Sequence, residues 1–341
     1  MNQGFWQGKR VLVTGGAGFI GSNLTERLVR VGAAVRVVDN LERGKLEYLN
    51  GTLHVIEFVR DDLRQQSVCE EVCRDVEIVF HLASKVGGIK YYLDKPGEVL
   101  LQNTLIDSHM LQAALANGVH HYLYASSAHV YPIDLQMKPD ASPLREEDAI
   151  PANPELSYGW AKFLGEKQIE CAIAEGKDLR AAIVRLIGAY GKNQDLDLET
   201  GSAIPVFIRR AIEYPKLSPF VIWGTGEETR SYCFIDDVVS GLLLAVEKLA
   251  EQELVGPINL GSEGRIRMGE LAEKVVQISG KPIEIVKDTS KSTVIWGQAV
   301  DCAKAREALW GWEPKVSLDE GLRRTFEHIK ARVVILGDKC L

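Results

Sequence analysis

The 341-residue sequence contains no basic run, and its formal net charge is −7. That balance makes nucleic acid and anionic membrane poor partners, although single arginines can still hold a nucleotide's phosphates. No apolar run is long enough to span a bilayer, and the opening MNQGFWQGKR has no apolar signal-peptide core, so a soluble cytoplasmic enzyme is expected. The six cysteines, at 69, 73, 171, 233, 302 and 340, make no CxxC pair. They read as reduced thiols rather than disulfides or zinc ligands, and no metal site is expected. Internal repeats and low-complexity tracts are also missing. What remains, at 46% hydrophobic content, is enough for a sizeable core and a length of about two domains.

The stretch VLVTGGAGFIGSNLTERLVRVGAAVRVVDN, residues 11–40, organises the rest. An apolar run breaks into glycines, resumes with Phe19, Ile20, Leu24, Leu28 and Val31 at helical spacing, and ends in the β-branched run 34–38, a strand–turn–helix–strand crossover. Gly15 lets the chain turn out of the strand, Gly18 keeps a Cβ away from a pyrophosphate, and Gly21 lets the helix pack close to the sheet. The helix start offers unpaired N–H groups and a partial positive charge to the phosphates. Asp39 can accept hydrogen bonds from an adenosine ribose, which favours NAD over NADP, while the nearby Arg43 weighs in the other direction.

Further along, residues 41–50 read as a loop and 53–59 as a third strand ending before Asp62 and Leu63, where the aspartate is a candidate acceptor for an adenine amino group or a solvated turn residue. Residues 65–74 have a helical pattern, and 76–82 form a fourth strand opening into HLASKVGGIKYY. Leu82, Ala83 and Ser84 stand where a cofactor would pass, and Gly87 and Gly88 allow a second ligand close to the backbone. A long helix is expected over 99–117, then the strand HHYLYA leading to Ser126, Ser127, Ala128 and His129. Because ligands sit outside the carboxyl ends of parallel strands, these residues belong to the cleft. Tyr158 and Lys162 share one face of a helix over 157–175, and an ammonium beside a phenol is expected to lower its pKa from about 10. After the strand 179–186 the regular alternation stops. Helices are expected over 203–214, from about 236, and over 268–279, 302–309 and 318–332, with short strands over 220–223, 257–260 and 283–286.

The motifs TGGAGFIG, DN, RDDL, HLAS, SS..VY, YGWAK, R....YG, R....ID and D..KA...LWGWEP, in that order along nearly the whole chain, resemble the extended short-chain dehydrogenase/reductase family of NAD-dependent nucleotide-sugar epimerases and dehydratases. The resemblance implies a Rossmann-like doubly wound parallel α/β sheet over residues 1–186 and a smaller α+β C-terminal substrate lobe over 187–341, with 229–262 returning to the sheet. It also implies bound NAD, held in addition by Asn40, a nucleotide-diphosphate sugar substrate, and a homodimer formed through the two long helices. KVGGI, SSAHVYP and WGTGEETRSYCFIDDVV are most similar to the GDP-mannose 3,5-epimerase and GDP-fucose synthase branch. The chain departs from that branch at His129, where a cysteine is usual, and at Gly188, where an asparagine is usual. It departs again at Gln298, where a phosphate-binding arginine is expected, and in the loop KNQDLDLET, which has only Lys192 as a cation. Arg230 is left as the diphosphate ligand.

These residues outline a reaction. Tyr158, aided by Lys162 and the nicotinamide ring, takes the proton from a sugar hydroxyl while Ser127 orients the same oxygen. The resulting 4-ketone acidifies C3 and C5, and His129, with an ordinary pKa near 6.5, is placed to exchange those protons. Dehydratases of the family use an aspartate at the position of Ala128 and a glutamate at that of His129, and alanine cannot protonate a leaving hydroxyl. The leading expectation is therefore a nucleotide-sugar epimerase inverting C3 and/or C5, with 4-epimerisation as its rival. A dehydratase and a non-catalytic dinucleotide sensor stand further off.

Overall fold

The computed structural model describes residues 3–87, 89–291 and 295–338. Gly88, expected near the substrate, lies outside them. Seven parallel strands form the central sheet: β1 (Arg10–Thr14), β2 (Ala34–Val38), β3 (Glu57–Val59), β4 (Ile78–His81), β5 (His121–Ser127), β6 (Arg180–Leu186) and an edge strand, Leu254–Leu260. Their spatial order is β3, β2, β1, β4, β5, β6 and the edge strand. The order reverses between β1 and β4, so their carboxyl ends open a crevice.

Both faces of the sheet are covered, which is why its strands read as continuous apolar runs rather than alternating ones. Val11 and Val13 pack into one core with Leu24 and Leu28 of the helix Phe19–Arg30, and Leu12 into the opposite core with Met110 and Tyr124. Leu24 and Leu28 are four apart and fully buried. Each contributes about 1.5–3 kcal/mol by leaving water. The helix Ser157–Ala174 packs beside Pro96–Ala116, and its buried face includes two charged residues, Lys162 and Glu166, again four apart.

The third strand is shorter than expected. The N–H groups of Thr52 and Leu53 both donate back to the Leu49 carbonyl at 2.8 Å, which withdraws this stretch from the sheet. The C-terminal helix runs beyond residue 332, over Leu318–Asp338. Beyond β6 the chain also forms strands too short for periodicity to detect. Ala189–Tyr190 pairs with Cys233–Phe234, and Thr229–Ser231 lies between Arg265–Arg267 and Gly297–Gln298. Phe220–Trp223 pairs with Ile285–Asp288. Among the described residues no helix is long and apolar enough to cross a membrane.

Candidate active site

A cleft of about 790 Å³ runs along the carboxyl ends of the strands, lined by the sheet on one side and residues 193–232 on the other. At one end its wall is mostly backbone. Gly15 turns with φ +66°, and a Cβ on Gly21 would lie 2.2 Å from the Gly15 carbonyl oxygen, so helix and turn meet only because residue 21 has no side chain. Gly18 caps the helix without a side-chain hydrogen bond, leaving the first amides to the cleft that Phe19 and Ile20 line. Asp39 accepts from the Ala17 N–H at 3.0 Å and the Leu41 N–H at 2.8 Å. Burial raises its pKa against the opposing pull of these two bonds. Each of its oxygens keeps a lone pair for a further donor.

Asn40, Asp62, Leu63, Leu82, Ala83 and Ser84 line the same end. Asp62 is clasped by the Arg64 guanidinium, which holds its carboxyl below the usual range. Arg43 is committed to Asp195 at 2.7 Å and to the Val86 carbonyl at 3.0 Å, bridging the turn after β2 to the lobe. The Ser84 hydroxyl and the Lys162 ammonium are buried without a hydrogen-bond partner. A bare backbone turn, an open helix start, a carboxylate at the end of β2 and two orphaned buried donors fit a dinucleotide.

The middle of the cleft carries the chemistry. Ser127 ends β5 and caps the short turn Ala128–Val130, accepting from the His129 N–H at 3.2 Å, so its own hydrogen remains free to donate. The turn sends neighbouring residues to opposite sides. His129 lines the cleft, whereas Ala128 packs with Val130 and Tyr131 in a small core and is not part of the wall. Ala128, expected among the substrate contacts, is thus placed in that core behind the wall. The His129 ring meets Tyr158 edge-on, with centroids 5.8 Å apart. Burial and then the Arg230 charge push the His129 pKa down to about 4, so it is a neutral proton acceptor at working pH.

Tyr158 departs from the expectation of a lowered phenol: in the chain by itself, burial and then Tyr92 and Asp107 raise its pKa, against a lowering contribution from Ser84. The Lys162 Nζ is 6.0 Å from the Tyr158 ring centroid and only 3.6 Å from Asp107 Oδ1, and the carboxylate offsets its field. Tyr92 stacks on Tyr158 at 5.4 Å and 21°. The sequence reading missed both Asp107 and Tyr92, since only packing brings those helices to Tyr158.

The other end of the cleft is made of side chains from the lobe. Arg230 donates to the carbonyls of Thr229 at 2.8 Å and Ile295 at 2.9 Å. These bonds aim a guanidinium whose pKa burial depresses. Arg210, also missed, lines this end with its Nε unpartnered, beside Phe207, Val221 and Trp223. Its one signal in the sequence is the pair Arg209 and Arg210 interrupting the apolar pattern of Ala203–Ile212. Gly188 has φ +53°, and a Cβ there would sit 1.9 Å from the Ser231 carbonyl oxygen, which explains why no asparagine occupies the position. Lys192 pairs with Glu26 at 2.5 Å and is not among the residues lining the cleft; Gln298 is, and it donates to Gln136 at 3.0 Å.

A doubly wound sheet with a dinucleotide turn and a tyrosine–lysine helix across its crevice defines a dinucleotide-dependent enzyme. The chain belongs to the NAD dependent epimerase/dehydratase family, whose profile matches residues 11–261. Membership of this nucleotide-sugar family makes NAD its cofactor. GDP-mannose 3,5-epimerase 1 of Oryza sativa subsp. indica is 32% identical over 324 residues, covering 95% of this chain and 82% of that protein. UDP-glucuronic acid decarboxylase 1 of Arabidopsis thaliana is 30% identical, covering 95% and 71%. The solved UDP-glucose 4-epimerase of Thermotoga maritima superposes with a TM-score of 0.83 at 29% identity, covering 95% of this chain and 99% of that one. The UDP-glucose 4-epimerase of Thermus thermophilus, solved with NAD, gives 0.80 at 26%, covering 94% and 99%.

Proposed function

We propose that this protein is a nucleotide-sugar epimerase that passes through a 4-keto sugar and inverts C3 and/or C5, acting on a GDP-sugar. The observation that carries the reading is His129, a neutral imidazole on the cleft wall 5.8 Å from the Tyr158 ring, with no carboxylate at residue 128 to drive dehydration. Similarity to GDP-mannose 3,5-epimerases over 95% of the chain supports the choice of nucleotide sugar.

Gly15, Gly18, Phe19, Ile20, Gly21, Asp39, Asn40, Arg43, Asp62, Leu63, Leu82, Ala83, Ser84 and Lys162 would hold NAD, which when bound would supply a reversible two-electron exchange at C4. Tyr158, ionised where the positive nicotinamide ring and the Lys162 ammonium would both lie beside it, would accept and return the C4 hydroxyl proton, and Ser127 would donate to the same oxygen and fix its direction. His129 takes the acidified proton from the neighbouring carbon and gives one back. Arg230 and Arg210 pair with the diphosphate, which anchors the sugar against the three reacting side chains.

The exposed apolar residues Leu100 and Leu101 on one long helix, and Trp160 and Leu164 on the other, support a homodimer through these helices. We propose a cytoplasmic protein with residues 1–186 as its cofactor domain and 187–341 mainly as its substrate lobe, 229–262 returning to the sheet.

The test is incubation with GDP-mannose and a panel of other GDP- and UDP-sugars in D2O, read by NMR. Deuterium at C3 or C5 that disappears in His129→Ala is the expected result. An epimer formed without deuterium would establish 4-epimerisation and reduce His129 to a contact residue.

A further inference from the structure

Behind Tyr158 lies a buried polar chain that crosses five elements. Thr14 at the end of β1 accepts from the Leu82 N–H at 3.1 Å and the Ala83 N–H at 3.0 Å, so its own hydrogen goes to His81 Nδ1 at 2.9 Å. This network assigns His81 as the tautomer with hydrogen on Nε2, which donates to Asp107 Oδ1 at 3.0 Å. Tyr124 donates to the other oxygen, Asp107 Oδ2, at 2.6 Å. Lys162 Nζ lies 3.6 Å from Oδ1 and over the Tyr124 ring, 4.6 Å from its centroid. Lys162 and Tyr124 are 1% exposed, Asp107 3%, and Thr14 and His81 not at all.

The charges in this chain can be assigned one by one. His81 is neutral, because burial lowers its pKa more than Asp107 raises it. Tyr124 stays protonated, because burial and then Asp107 raise it. Asp107 is ionised; burial would raise its pKa, but Lys162, His81 and Tyr124 together outweigh that. Glu166, the other acid facing this side of the helix, is spent on Arg185 at 2.7 Å and on Ser126. Tyr158 is neutral in this state and adds no charge of its own. Burial lowers the Lys162 pKa, and Asp107, with a smaller share from Glu166, opposes that fall, so one carboxylate faces one buried amine and neither meets water.

We propose that Asp107 is a positioning residue that holds Lys162 as an ammonium beside Tyr158 and so sets the alkaline limit of catalysis. The proposal rests on the reading of Tyr158 and Lys162 as the reacting pair. A carboxylate so placed opposes the phenolate, since it cancels part of the lysine's field. Its benefit is that a buried ammonium without a counter-ion loses its proton, whereas this one keeps its charge and its unspent donors. Through His81 and Thr14 the same carboxylate is tied to the backbone at Leu82 and Ala83, which line the cofactor end. One buried chain thus couples the strand ends to the ammonium.

The experiment is an NMR titration of lysine 13Cε resonances in the full chain as purified, with Lys162 assigned by its loss in Lys162→Met. In Asp107→Asn the Lys162 midpoint is expected to fall by at least one pH unit, and the alkaline limb of kcat to fall with it. An unchanged midpoint would overturn the proposal whatever happens to activity. So would a lowered midpoint with the alkaline limb in place. Should Asp107→Asn fail to fold, Asp107→Ser, which leaves room for a water, is read in the same way. The titration needs no sugar substrate, so absence of turnover on the D2O panel would count against the epimerase reading and leave the ion pair separately measurable.

Discussion

The two ends of the cleft are built from different material. At the cofactor end, the turn at Gly15, the helix start at Gly18 and the close approach at Gly21 present backbone amides, and one side chain, Asp39, braces the turn through Ala17 and Leu41. At the lobe end, Arg210, Trp223 and Arg230 come from separate short elements, and each guanidinium is aimed by carbonyls of its neighbours. A backbone site tolerates little change at its glycines and much elsewhere. A side-chain site can be retuned residue by residue, which suits an enzyme family whose members share a cofactor and differ in sugar.

The sharpest test of this contrast lies where the two ends meet. Tyr158→Phe keeps the stack on Tyr92 and removes only the hydroxyl, so turnover should fall by about 10²–10⁴-fold while NAD content of the purified protein stays unchanged. Gly21→Val should break the cofactor end alone: the clash with the Gly15 carbonyl costs about 1–3 kcal/mol, seen as a lower urea midpoint together with loss of copurifying NAD. If NAD content survived, the backbone account of that end would be wrong. Arg230→Ala should break the lobe end alone, raising KM about 10–100-fold as one charge-assisted contact to the proposed diphosphate, of about 1.5–3 kcal/mol, is lost, with NAD content intact.

The smallest effect concerns acid. The His129 pKa is depressed to about 4 in the fold, against about 6.5 in an unfolded chain. Between those values the unfolded state binds the extra proton, so the fold is favoured above pH 6.5 and loses this share as pH drops toward 4. His129→Gln should therefore lose less stability than the parent between pH 7 and pH 4.5 in urea titrations. An equal loss would mean that His129 is not held neutral.

The residues around the glycine turn were readable because each acts within its own βαβ unit, where spacing in sequence is spacing in space. Tyr158 and Lys162 were readable for the same reason, four apart on one helix face. The consequence drawn from that spacing, a lowered phenol pKa, is not met in the chain by itself, because burial first, then Tyr92 and then Asp107 raise it, and the last two reach Tyr158 only when their helices pack against it. The sides taken by Ala128 and His129 were not legible either, because the short turn after β5 sets them: His129 lines the cleft and Ala128 packs in a small core. The strands Thr229–Ser231 and Gly297–Gln298 are too short to show a period, so the lobe that carries Arg230 had no legible shape.

By itself, then, the chain's order of residues determined the cofactor turn, the parallel sheet and the identity of the serine, tyrosine and lysine, all of which depend on local conformation and on hydrophobic runs of fixed period. The tertiary structure alone decided what those groups are electrically. Burial depresses His129, raises Tyr158 and hands Lys162 to Asp107, because the cost of a charge away from water depends on which neighbours close around it.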